Sequence, residues 1–411
     1  VMHAIEGGKR YAQAGSLRFR RIRVGILLVG LTMFAQLYIF QPILESLRTY
    51  YQIAHTAASL SVSAGTVGIA IGLFFYVFYA DTLARKRLMA ISMLSAAVLT
   101  LITPIATNFN VLLLLNLLRG LALSGTSAVT LAYLAEEINP QDIGLAISLY
   151  ISGNTIGGML GRVAATLLTG WYGWRIMALS VGIACLIMGL LFVKIFPRSR
   201  NFRPSNIAPR IRFKRMRIFL SMPYFLTLYF TGFTILGVFV SLYNYVPFLL
   251  EAPPYSFPHY VVALIFLMYT IGIFGALLFG RLSDRYPSQS LLQISLLIYI
   301  AGIGILFVPN IVCLLLGLSL ITFASFGVHT VASRMVSTRA GIGKSSATCL
   351  YWLTYYTGSS VVGYVTGFAY FHYGWEALLS VDLLLLLMST VATTLFLGAK
   401  YVPPTDLELP R

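Results

Sequence analysis

Long apolar segments follow one another along almost the whole chain, and they limit its possible folds more than any other feature. A membrane-spanning helix needs about 20 predominantly apolar residues, so a chain of 411 residues has room for about a dozen spans and their loops. Hydrophobic residues make up 58% of the sequence and charged residues 10%, whereas soluble domains are about 25% charged. The composition therefore excludes an ordinary soluble enzyme and predicts an all-α membrane protein.

The apolar segments fall into two groups of six, separated by a basic stretch that contains prolines. We predict twelve transmembrane helices in two six-helix bundles. The predicted spans are 24–45, 58–80, 87–107, 111–134, 143–169, 174–196, 218–249, 259–281, 291–308, 311–333, 345–370 and 376–398. The predicted domains are a basic, disordered tail at 1–22, an N-terminal bundle at 23–196, a basic linker at 197–217, a C-terminal bundle at 218–399 and a tail at 400–411.

Short motifs recur in the two groups at nearly the same spacing. Tyr172-Gly173-Trp174 returns as Tyr373-Gly374-Trp375, and Asp81 at the end of span 2 returns as Asp284 at the end of span 8. Such an internal repeat indicates a duplication that produced two pseudo-symmetric bundles. Parallel repeats of this kind enclose a site near the bilayer midplane, which opens alternately to either side.

The basic residues decide the predicted orientation. The chain carries 29 Lys and Arg against 12 Asp and Glu, and most of the basic residues fall in loops on one side of the predicted membrane. This is the positive-inside pattern, and it places both termini in the cytoplasm, next to anionic lipid. We therefore predict contact with the bilayer and not with nucleic acid. The 3 cysteines lie in apolar segments without metal-ligand spacing, and we predict no metal site and no cofactor.

Span 5 combines a glycine strip with a buried charge. Gly153, Gly157 and Gly161 recur every four residues, so they lie on one helix face and are predicted to pack closely on another helix. Arg162 follows inside the same apolar segment, where an unpaired charge costs about 3 kcal/mol or more. Arg162 must therefore face water, a partner or a ligand, which predicts a pore or a binding cavity.

The halves, the linker and the loop motifs resemble the major facilitator superfamily across essentially the whole chain. Asp81, Arg85 and Lys86 match its signature loop between spans 2 and 3, and Asp284 and Arg285 match the repeat between spans 8 and 9. The resemblance implies that these five residues form a cytoplasmic latch; a solvated surface ion pair is the alternative. Span 5 also resembles the antiporter signature of the superfamily. The resemblance implies proton-coupled export, and we expect a monomer in the bacterial inner membrane.

Polar residues inside the spans are the candidates for substrate binding. In span 5, Tyr150, Asn154 and Arg162 share one face; in span 4, Asn116 and Arg119 do the same. Pairing of Arg119 with a carbonyl or a buried carboxylate remains open. The complete predicted cavity set is Arg119, Arg162, Asn116, Asn154, Tyr150, Gln36, Gln41, His329, Tyr351 and Tyr355.

Two buried titratable groups are candidates for proton coupling. His329 in span 10 lies near Ser325 and Ser333, and Asp382 in span 12 is an acid deep in an apolar run. Each has a purely structural alternative, because a membrane histidine can be a satisfied core residue and a third helix of a triplet is usually peripheral in the superfamily.

The predicted cavity carries arginine without a matching carboxylate, and this favours an anionic substrate because arginine binds carboxylate or phosphate through paired hydrogen bonds. We expect a secondary transporter that exports a small organic anion or a polar amphiphilic compound. An uptake symporter for a small organic acid is the second hypothesis. A membrane sensor without transport is the third.

Overall fold

The structure is a computed structural model, and it describes residues 5–6, 9–13, 15–79, 82–138, 143–202, 204, 208–283, 285–340 and 344–397. Apart from a short antiparallel pair, β1 (Ile5–Glu6) and β2 (Lys9–Arg10), the named elements of the described chain are helices. The helices of the first half are α1 (Leu17–Leu37), α2 (Leu60–Tyr79), α3 (Arg85–Ile102), α4 (Phe109–Glu137), α5 (Ile143–Tyr172) and α6 (Trp174–Ile195).

The second half repeats this series. Its helices are α7 (Pro223–Glu251), α8 (Tyr269–Leu282), α9 (Ser288–Leu306), α10 (Ile311–Arg339), α11 (Lys344–Tyr373) and α12 (Trp375–Phe396). The shorter elements are 3-10 turns at Gln41–Ile43, Thr103–Ile105 and Ala263–Met268, and helices at Leu44–Tyr51, His55–Ala58, Pro209–Ser221 and His259–Val262.

Within the described residues, ten helical stretches are long and apolar enough to cross a membrane. The other two long helices are α5 and α11, of 30 residues each; α5 carries the glycine strip and Arg162, and α11 carries Tyr351 and Tyr355. Some bounds differ from the predicted ones. α1 begins at Leu17, because the Ser16 side chain accepts a hydrogen bond from the Phe19 amide at 3.1 Å, and it ends before Pro42.

The two halves show the same pattern of helix packing. In the first half α1 packs on α5 and α6, α2 on α4, and α3 on α4 and α6; in the second half α7 packs on α11 and α12, α8 on α10, and α9 on α10 and α12. Between the halves, α2 contacts α11 and α5 contacts α8. The protein is therefore an all-α membrane protein of two pseudo-symmetric bundles, as the sequence predicts.

The repeated Tyr-Gly-Trp motif forms a tight turn in each half. Gly173 (φ 84°) and Gly374 (φ 88°) separate α5 from α6 and α11 from α12. Only glycine takes up such positive φ values without strain, so the turn explains why this motif recurs. A second repeat lies at the starts of α4 and α10, where the Asn108 and Asn310 side chains accept hydrogen bonds from backbone amides at 2.9 Å and 2.8 Å.

Candidate functional site

The glycine strip of α5 lies directly against α1. A Cβ atom on Gly157 would stand 2.4 Å from the carbonyl oxygen of Leu31, and one on Gly161 would stand 2.7 Å from the Cα atom of Ala35. The two backbones approach this closely because glycine has no side chain. The contact fixes the rotation of α5, which brings Arg162 to the boundary between the two halves.

Arg162 is 2% exposed and is surrounded by neutral groups. Its Nε donates to Oε1 of Gln41 at 2.6 Å, and its Nη1 donates to the carbonyl oxygen of Gly158 at 2.8 Å. The guanidinium carbon lies 4.5 Å from the ring centre of Tyr38 in the first half and 4.6 Å from that of Tyr269 in the second. Among the described residues, no carboxylate pairs with this charge.

Gln41 connects this arginine to the second half. Its Nε2 donates to Oδ1 of Asn244 in α7 at 2.8 Å, while its Oε1 accepts from Arg162. Beyond this bridge, His55 stacks on Phe371 at the end of α11 with 4.4 Å between ring centres. The two halves are thus in contact at the end of the molecule where α1, α7 and α11 finish, which we call the far end. The opposite end is called the tail end.

Three other predicted cavity residues face the interior of the first bundle. The Tyr150 hydroxyl contacts Sδ of Met33 at 3.9 Å, and Asn154 is 9% exposed on the side of α5 that packs on α1. Gln36 accepts a hydrogen bond from the Thr100 hydroxyl at 2.9 Å, which ties α1 to α3. The structure therefore places Gln36 in a bond between helices of one bundle.

The two buried arginines do not share their contacts. Arg119 in α4 is 1% exposed, and its guanidinium carbon lies 5.1 Å from the ring centre of Phe40. Asn116, three residues earlier, donates to the carbonyl oxygen of Ser61 in α2 at 2.9 Å. Both residues are thus enclosed by helices and turns of the first half, whereas Arg162 also contacts the second half.

His329, Tyr351 and Tyr355 come together on α10 and α11. His329 Nδ1 and the Tyr351 hydroxyl are hydrogen-bonded at 3.1 Å, and the His329 ring centre lies 4.6 Å from that of Tyr355 and 5.1 Å from that of Trp352. His329 and Tyr355 are only partly buried. An imidazole with a phenol partner and aromatic neighbours could bind an aromatic ligand or transfer a proton.

Asp382 lies inside the second bundle. It is fully buried, and its Oδ2 accepts a hydrogen bond from the Ser241 hydroxyl of α7 at 3.0 Å. Its Oδ1 has no hydrogen-bond partner among the residues that the structure describes. Asp382 therefore lies where α12 packs on α7, and its partner Ser241 is three residues before Asn244 in α7.

The tail end holds part of the predicted latch. Asp81 and Asp284 lie outside the described residues. Arg85 forms an ion pair with Glu136 at the end of α4, with 2.8 Å between Nη2 and Oε1. Lys86 donates to a backbone carbonyl of α6 at 2.8 Å. In the second half Arg285 is exposed. Glu136, the partner of Arg85, is not among the predicted latch residues, because it follows span 4 and lies outside the signature loop.

Glu137, next to Glu136, joins three separate segments at the tail end. Its carboxylate accepts hydrogen bonds from the guanidinium of Arg18, from the Ser199 hydroxyl at 2.6 Å, and from the amides of Arg200 and Asn201 at 2.7 Å each. The side chain is fully buried. One carboxylate thus holds the first turn of α1 and the start of the linker against the end of α4.

Replacing Glu137 by alanine is expected to lower the free energy of unfolding by about 3 kcal/mol, since the largely buried Arg18 guanidinium and the amides of Arg200 and Asn201 lose this acceptor. The measurement is the thermal unfolding midpoint of the purified protein in detergent. Glu376→Ala is the control, because Glu376 is exposed in the first turn of α12. Equal midpoints for both variants would contradict the role assigned to Glu137.

Some residues of the site were missed in the sequence. Tyr38 and Tyr269 cover Arg162, and Asn244 bonds to Gln41. The internal repeat could have found Asn244, because the spacing that relates Asp81 to Asp284 also relates Gln41 to Asn244. The two tyrosines gave no comparable signal, since tyrosines are frequent throughout this sequence.

Comparison with known proteins agrees with this architecture. Residues 26–363 match the Major Facilitator Superfamily. The chain is 35% identical over 380 residues to the MFS-type transporter YybF of Bacillus subtilis, covering 92% of this chain and 94% of that protein. It is 32% identical over 391 residues to the inner membrane transport protein YnfM of Escherichia coli, covering 95% and 94%.

Solved structures share the fold. An inward-facing, occupied bacterial homolog of the human lysosomal transporter Spinster has a TM-score of 0.76 at 15% identity, covering 95% of this chain and 100% of that one. A D-xylose-proton symporter has a TM-score of 0.74 at 14% identity, covering 92% and 98%. Together with the two repeated bundles and the matched sequence, these similarities show that the chain belongs to the Major Facilitator Superfamily.

Proposed function

We propose that this transporter exports a small organic anion or a polar amphiphilic compound in exchange for protons, with Arg162 as the residue that binds the negative group. The observation that carries the proposal is a buried guanidinium at the boundary between the halves whose described partners are all neutral. Membership of the superfamily supports alternating access, in which such a boundary opens to one side at a time.

The hydrogen bonds of Arg162 leave room for a carboxylate. Arginine stays protonated in proteins, so its charge must be stabilised by partners. Gln41 occupies Nε, whereas Nη2, on the same edge of the guanidinium, makes no hydrogen bond to a described residue. A carboxylate that displaced the Gln41 oxygen would bind Nε and Nη2 together, and charge-assisted pairs of this kind are roughly twice as strong as neutral hydrogen bonds.

A partial relative supports the substrate class. The gallate transporter of Pseudomonas putida is 30% identical over 167 residues, covering 41% of this chain and 37% of that protein, and it is named for a carboxylate. The aromatic group of His329, Tyr351, Trp352 and Tyr355 could receive the ring of such an acid. For proton coupling the candidates remain His329 and Asp382. We further propose that the protein acts as a monomer in the bacterial inner membrane.

Transport in membrane vesicles tests this function. Inverted and right-side-out vesicles containing the protein are given radiolabelled gallate and benzoate, with and without a pH gradient. Export predicts accumulation in inverted vesicles that an uncoupler abolishes. Accumulation in right-side-out vesicles alone would instead establish an uptake symporter. If neither preparation transports any of a broad panel of organic acids, the proposal of an anion exporter fails and a sensor role is favoured.

A further inference from the structure

Arg119 carries a charge that the proposed transport site does not use. It is 1% exposed, and none of its three guanidinium nitrogens has a hydrogen-bond partner among the residues that the structure describes. The ring of Phe40 covers one face of the guanidinium at 5.1 Å. Cys185 of α6 belongs to the same buried cluster as Phe40.

These neighbours cannot stabilise the charge. An arginine presents five N–H donors and does not lose its proton in a protein, so it cannot become neutral as a buried lysine or carboxylate can. A cation–π contact contributes about 2 kcal/mol when desolvated, whereas the effective penalty for burying an ion is several kcal/mol. A neutral thiol is a weak acceptor. A further acceptor of hydrogen bonds is therefore required beside Arg119.

We propose that Arg119 binds a small inorganic anion of halide size inside the first bundle. One positive charge calls for one negative charge. Phe40, which covers Arg119, belongs to a buried cluster with Leu112 and Cys185, and each of the three is at most 1% exposed. The burial of these residues favours a small inorganic anion over an organic substrate. The site is also separate from Arg162, because the contacts of Arg119 come from the first half and those of Arg162 from both.

The two arginines are connected through one turn of the chain. Phe40, which covers Arg119, directly precedes Gln41, which bonds to Arg162 and Asn244. Both residues are buried at the 3-10 turn that follows α1. An anion that holds Arg119 in place fixes Phe40, and with it the orientation of Gln41. Occupancy of the anion site is thus expected to favour closure of the far end.

Binding of radioactive chloride to the purified protein, exchanged into gluconate, tests the proposal. Wild-type protein is expected to bind one chloride saturably, with bromide competing. Arg119→Met should weaken binding at least about tenfold, the loss expected when a charge-assisted hydrogen bond worth about 1.5 kcal/mol or more is removed. The exposed Arg87→Gln should leave chloride binding unchanged, and Arg162→Gln should weaken it far less than Arg119→Met does, which distinguishes this site from the proposed substrate site.

Two results would overturn the assignment. The first is an absence of saturable chloride or bromide binding to the wild type, which would leave water as the partner of Arg119. The second is unchanged binding by Arg119→Met. If that variant does not fold, crystals of the wild type are soaked in bromide instead. The proposal requires an anomalous peak within hydrogen-bond distance of the Arg119 guanidinium, and it fails without one.

Discussion

Replacing Arg162 by alanine is expected to reduce transport by about 100-fold or more, the effect of losing charge-assisted hydrogen bonds worth about 3 kcal/mol. The alanine variant should still insert and fold, because the partners that lose the arginine are neutral. Arg162→Lys should restore little activity, since an ammonium group keeps the charge but cannot form the paired bonds of a guanidinium. Initial transport rates in vesicles, at equal protein levels, measure both variants.

Arg175→Ala is the matched control for this experiment. Arg175 is exposed in the first turn of α6 and stacks on Tyr50, away from the boundary between the halves. Its loss is expected to leave the transport rate within about twofold, as for surface changes worth less than about 0.5 kcal/mol. Wild-type rates for Arg162→Ala would refute the proposed site.

Replacing Gly157 by alanine is expected to lower the free energy of unfolding by about 3 kcal/mol, the upper end of the cost of overpacking. The added Cβ atom would meet the carbonyl oxygen of Leu31 at 2.4 Å and its Cα atom at 2.6 Å, so α1 and α5 must separate. In the second half, a Cβ atom on Gly358 would stand 2.0 Å from the carbonyl oxygen of Phe233, and Gly358→Ala should behave alike.

The control for the glycine variants is Gly304→Ala. Gly304 lies in α9, where an added Cβ atom has no neighbour within 4 Å. Alanine there is expected to be neutral or to stabilise the helix by up to about 1 kcal/mol, because glycine has the larger conformational entropy in the unfolded chain. The measurement is the thermal unfolding midpoint of each of the three variants in detergent. Equal unfolding midpoints for Gly157→Ala and Gly304→Ala would show that α1 moves away from α5 without loss of stability, and would contradict this prediction.

The fold could be predicted from the sequence because a bilayer permits few arrangements of apolar segments. The Tyr-Gly-Trp repeat indicated the duplication, and the same repeat now explains the two glycine turns with positive φ. Element ends were less accurate. Residues 17–23 are strongly basic, so hydropathy assigned them to the tail, although the cap at Ser16 makes them the first turns of α1.

The site was harder to predict because the sequence shows which residues share a face of a helix but not which helices pack against that face. Asn116 and Arg119 share a face of span 4, yet the structure places them among residues of the first half. Gln41 and Arg162 are far apart in sequence, and their hydrogen bond depends on how α5 packs on α1. Contacts between distant segments, such as that of Glu137 with the linker, leave no periodic signal in the sequence.

The carboxamide of Gln41 binds Arg162 with its oxygen and Asn244 with its nitrogen. A ligand that takes the oxygen's place on Arg162 therefore competes with the bond that fastens the halves together. By thermodynamic reciprocity, binding of the ligand favours separation of the halves by the same factor by which separation raises the affinity for the ligand. A single amide side chain would thus couple substrate binding to the opening of the far end.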